Sequence, residues 1–147
     1  MLILATRIIC GIGVLSQLLW SAWAQYNVAA ENPNHQFWHG GLLLGLLVNI
    51  PFLLVYFVYR CGPFLAIFFA SRPRDTRETK VVYLIGATTL IVIQVWAIAS
   101  VMDKDHWKGL PKELYVIGLW ILAVMFVALG HWFRKTTYIA TRTPPEQ

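Results

Sequence analysis

Charge is scarce in this chain: only 13% of its 147 residues are Asp, Glu, Lys or Arg, about half the share of a soluble domain. So few ionised groups cannot coat a water-facing surface, which excludes an ordinary soluble globule. Intrinsic disorder goes with it, because that state needs low hydrophobicity and high charge. Cysteine is scarcer still. Cys10 and Cys61 are the only two, allowing at most one bridge, so a disulfide scaffold is excluded. Neither belongs to a C-x-x-C pair, and both fall toward the half of the bilayer where thiols stay reduced. The patterns G-x-S-x-G, H-E-x-x-H and the P-loop are missing, and with them the hydrolytic and nucleotide-dependent mechanisms they mark. Lys and Arg outnumber Asp and Glu by 12 to 7, yet they flank apolar runs instead of sharing one face, so nucleic acid is not the partner.

What is present is apolar: 58% of residues, with a mean hydropathy of +0.59. A membrane-spanning helix needs about 20 such residues, at about 1.5 Å each through about 30 Å of hydrocarbon. Four stretches qualify, at about 4–24, 38–59, 81–101 and 114–132. Period-two alternation is lacking, and an open sheet cannot hide its edges in lipid. The expected fold is a single all-α integral membrane domain, a bundle of four transmembrane helices over residues 1–147. Pro51 falls within the second span, where its missing N–H predicts a kink.

Orientation follows from the Lys and Arg balance across the spans. One side holds Arg7, Arg60, Arg72, Arg74, Arg77, Lys80, Arg134, Lys135 and Arg142; the other holds Lys104, Lys108 and Lys112. The nine-to-three split places both termini and the loop 60–80 in the cytoplasm, with the cell inner membrane as the location. Within that loop, the apolar segment 63–71 reads as an interfacial piece after a helix break at Gly62-Pro63. Ala22-Trp23-Ala24 has the form of a signal-peptidase site, but the opening Met1-Leu2-Ile3-Leu4-Ala5 lacks a basic, polar leader, so the first span is taken as a retained anchor.

With spans at those bounds, no Asp, Glu, Lys or Arg falls mid-span, which counts against an ion-coupled transporter. The interior polar groups are amides. Gln17, Asn49 and Gln94 lie at similar depth, roughly 20 Å from the cytoplasmic side, and amides in hydrocarbon seek each other. They are expected to converge, as packing contacts or around a polar ligand. Gly41 and Gly45 form a GxxxG pattern, where another helix can approach closely.

His35, His39 and His106 are metal-ligand types near the outer surface, although at a membrane boundary they serve equally as interface residues; no metal is assigned to them. Haem b clamped within one chain is disfavoured, because His39 and His131 lie at opposite ends of their spans. No catalytic residue is assigned. The expectation is a non-catalytic multi-pass subunit, anchor or assembly factor that packs against other membrane subunits or itself. A redox subunit holding quinone or haem in the outer half of the bundle is the alternative, followed by a small-solute pore or facilitator.

Overall fold

The computed structural model describes residues 1–31, 42–102 and 112–142. These form helices α1 (Leu2–Glu31), α2 (Leu42–Ala70), α3 (Arg77–Met102) and α4 (Lys112–Arg142). Each is long and apolar enough to cross a bilayer, over Leu2–Trp23, Leu53–Ala70, Arg77–Ser100 and Leu114–Ile139. The chain is an all-α bundle for a lipid environment.

The second span differs from the sequence expectation. α2 does not break at Gly62-Pro63 but runs on to Ala70, and the apolar stretch ends there. The segment after Pro63 belongs to the bundle core, where Phe64 and Ile67 are fully buried. Its tolerance of Pro63 has a local cause. A proline offers no N–H to the carbonyl four residues earlier, here that of Tyr59. The indole N–H of Trp120 on α4 donates to the Tyr59 carbonyl at 3.0 Å and replaces the lost bond.

The helices stand at the corners of a square. α1 and α4 each pack along both α2 and α3, and α2 meets α3 more briefly across one diagonal. Lipid offers no hydrophobic drive for helices to associate, so close van der Waals fit must supply much of the attraction. Among the described residues glycine provides that fit at four places. A Cβ on Gly13 would collide with the Phe64 ring, one on Gly62 with Trp120, one on Gly86 with Phe126, and one on Gly130 with Tyr83. Each notch therefore receives an aromatic ring from a neighbouring helix. Around them lies the core of Cys10, Phe64, Ile67, Tyr83, Ala87, Leu90, Leu119 and Ala123.

Residues 71–76 carry the chain from α2 to α3 across the diagonal at one end of the bundle. The Ser71 N–H donates to Ile67 O at 3.0 Å and closes α2, while the Thr76 hydroxyl accepts from the Thr79 N–H at 3.5 Å and caps α3. Arg7 Nη2 of α1 donates to Ser71 O at 3.0 Å. From α4, Arg134 donates to both Asp75 carboxylate oxygens, at 2.7 and 2.9 Å, and to the Ala70 carbonyl. The first and last helices thus both grip this loop.

Candidate functional site

Midway along the bundle, polar side chains gather in one layer. Gln17 and Gln94 are both buried, at 2% and 1% exposure. Gln17 Nε2 donates to Tyr115 Oη at 3.4 Å, which links α1 to α4 across the other diagonal. Gln94 Nε2 donates to the Ser16 hydroxyl, and that hydroxyl donates onward to Gly13 O at 2.9 Å. The two glutamines therefore reach adjacent positions on α1 but bond hydroxyls, not each other. The side chain of Asn49 lies outside the described residues, as do Gly41, the side chain of Gly45, and His35, His39 and His106. A GxxxG contact, an outer metal site or a histidine-ligated haem falls there too.

The residue that sequence reading misplaced is Arg60. It was expected at the cytoplasmic edge of a span ending at Tyr59. Because α2 continues to Ala70, Arg60 lies about ten residues inside the end of the helix. At 1.5 Å per residue that is about 15 Å, half the thickness of a bilayer core. Arg60 thus lies inside α2, within its apolar stretch Leu53–Ala70. The signal was available in the unbroken apolar run from Cys61 to Ala70, which the Gly-Pro dipeptide masked.

Arg60 is half-buried, and its Cζ stacks 5.6 Å from the centre of the Tyr56 ring, one turn toward the start of α2. Its Nε is buried with no hydrogen-bond partner. The Tyr56 hydroxyl shares a 3.3 Å hydrogen bond with Ser21 of α1. Beside these groups a groove of about 480 Å³ opens sideways between α1 and α2, with Gln17, Ser21, Leu54, Tyr56 and Arg60 in its walls.

Arg7 likewise has a buried Nε without a partner, whereas Arg134 is met by an acid. Arg7 stacks 5.2 Å from the Phe68 ring besides holding Ser71 O. Arg134 meets Asp75, whose side chain is only 4% exposed. Burial alone would raise the Asp75 carboxyl pKa. The hydrogen bonds from Arg134 and the Arg72 N–H, with both positive charges, outweigh it and hold the group below the ordinary carboxylate value. Asp75 is therefore ionised at neutral pH and anchors the loop.

No protein family matches this chain, and no curated protein or solved structure is significantly similar to it.

Proposed function

We propose that this chain is a non-catalytic subunit or assembly factor of a larger membrane complex. The observation that carries the reading is Arg60, a cation within the apolar stretch of α2 with a buried, unpartnered Nε beside an open groove. Ionisable groups inside a bilayer are costly, and they are kept where they pair or act. In the remaining polar layer Gln17 donates to Tyr115 and Gln94 to Ser16, with Gln94 Oε1 left unpartnered. In this reading both termini and the loop 71–76 face the cytoplasm, α2 bends at Pro51, and the complex resides in the inner membrane. Support for the orientation is the nine-to-three Lys and Arg split.

The test is extraction in a mild detergent followed by native electrophoresis and mass spectrometry. A species well above the 16.8 kDa chain, containing a second polypeptide in fixed ratio, is the expected result. A lone monomer overturns the proposal.

A further inference from the structure

We infer that the cavity between the first turns of α1 and α3 holds the phosphate of one anionic phospholipid, clasped by Arg77 and Lys80. The site needs no partner polypeptide, so it stands whether or not the chain joins a complex.

The cavity measures about 430 Å³ and is walled by Met1, Leu2, Ile3, Pro73, Arg77 and Lys80. Arg77 and Lys80 are three residues apart on α3, so their side chains share one face of that helix. Packing of α1 along α3 brings Met1, Leu2 and Ile3 opposite them, and the loop adds Pro73. Two cations thus stand over a floor of four apolar residues.

Depth selects the ligand. The apolar stretches of α1 and α3 begin at Leu2 and Arg77, so the cavity lies where hydrocarbon gives way to headgroups. Charge selects its sign. Eight Lys and Arg fall within residues 1–7, 71–80 and 134–147, which flank this end of the bundle, against Asp75, Glu78 and Glu146. Asp75 is engaged by Arg134, while Glu78 is exposed and lies outside the cavity walls. The end stays strongly positive even with Glu146 counted.

A soluble phosphate would satisfy the two cations but leave Met1, Leu2 and Ile3 uncovered. A phospholipid lays its glycerol and first acyl carbons on that floor, while its phosphate accepts from the guanidinium fork and the ammonium. Basic pockets between helices at the membrane surface hold headgroups in this way. A choline lipid also carries a phosphate, but its quaternary ammonium would meet a basic rim, so the site discriminates by net charge.

The experiment titrates the full chain with phosphatidylglycerol in an uncharged detergent and counts retained lipids by native mass spectrometry, with helical circular dichroism as the measure of folding. The expected result is one lipid per chain, with phosphatidylcholine held about tenfold more weakly. Arg77→Gln with Lys80→Gln should weaken phosphatidylglycerol binding at least about tenfold. Arg74→Gln with Lys135→Gln removes as much charge from the same end without touching the cavity walls, and should stay within about threefold of wild type. Equal losses in the two pairs overturn the inference, because the field of the whole end then does the binding. So does equal competition by inorganic phosphate. A rise in affinity on deleting residues 143–147 overturns it as well, since the chain's own Glu146 would then be the occupant. If the cavity variant does not fold, a photo-crosslinking residue replacing Ile3 decides, in vesicles of equal phosphatidylglycerol and phosphatidylcholine. Predominant capture of phosphatidylglycerol supports the site, and even capture refutes it.

Discussion

The indole N–H of Trp120 donates to the carbonyl of Tyr59, and Tyr59 is the residue that Pro63 deprives of its helical donor. One side chain on α4 thus makes a proline acceptable in the middle of α2. Its ring also fills the notch at Gly62, so hydrogen bond and packing come from the same residue.

That relationship predicts a coupling. Trp120→Phe removes the donor and costs about 1–3 kcal/mol, the penalty for a buried acceptor left unpaired. Pro63→Ala returns an N–H at position 63, so in the Trp120→Phe background it recovers part of the loss. Reversible unfolding in mixed micelles measures the double-mutant cycle, with an interaction of about 0.5–3 kcal/mol expected. Additive effects would show that Trp120 acts by packing alone.

Two glycines should respond in opposite directions. A Cβ at Gly86 would sit 2.7 Å from Phe126 Cγ and 3.0 Å from its Cβ, atoms too near the backbone to swing aside. Gly86→Ala is expected to destabilise by about 1–3 kcal/mol through overpacking. A Cβ at Gly11 meets nothing within 4 Å. Gly11→Ala should be neutral or add up to about 1 kcal/mol, since alanine loses less backbone entropy in a helix. The same unfolding assay ranks them.

Stability should depend on acid through Asp75. Its folded-state pKa lies below the ordinary value, so its contribution is complete above the unfolded value of about 3.9. The contribution is lost as pH falls through the lower, folded value. Asp75→Asn is expected to cost about 1.5–3 kcal/mol at pH 7, with wild type and variant converging at strongly acid pH. A gap that stayed constant as the pH fell would contradict the role of the ionised carboxylate.

Single cysteines test orientation. Arg74→Cys, exposed on the α2–α3 loop, should react with an impermeant maleimide only after the membrane is opened, whereas Lys108→Cys should react from outside intact cells. Labelling of Arg74→Cys in sealed cells would reverse the assignment. The native thiols do not interfere, because Cys10 and Cys61 are both 1% exposed.

Hydropathy made four helices readable before any coordinates, because a bilayer demands a long apolar run and little else. Rotation of each helix about its axis is not encoded that way. Depth alone paired Gln17 with Gln94, but Gln94 faces Ser16 and Gln17 faces Tyr115. The hydroxyls of Ser16 and Tyr115 carry no hydropathy signal that marks them as partners. Arg60 was misplaced for a different reason. Gly-Pro ends most helices in water, while in a bundle a neighbour can supply the missing donor. That donor, Trp120, lies 57 positions beyond Pro63 in the chain. The notches at Gly13, Gly62, Gly86 and Gly130 share no spacing motif, since each glycine sits opposite an aromatic ring on a neighbouring helix.

The loop that crosses the bundle diagonal has a consequence for how the protein is made. Arg7 is synthesised first, the loop next, and Arg134 near the end of the chain. While α4 is still in the ribosome, Asp75 has no guanidinium to bond, and the diagonal crossing is secured from one flank only. Water at the membrane surface must solvate that carboxylate until Arg134 emerges and displaces it. A ribosome stalled before residue 134 therefore leaves a nascent chain with three inserted helices and one ionised, unclamped turn. Completion of the last helix is registered at the loop end of the bundle by a single bidentate contact.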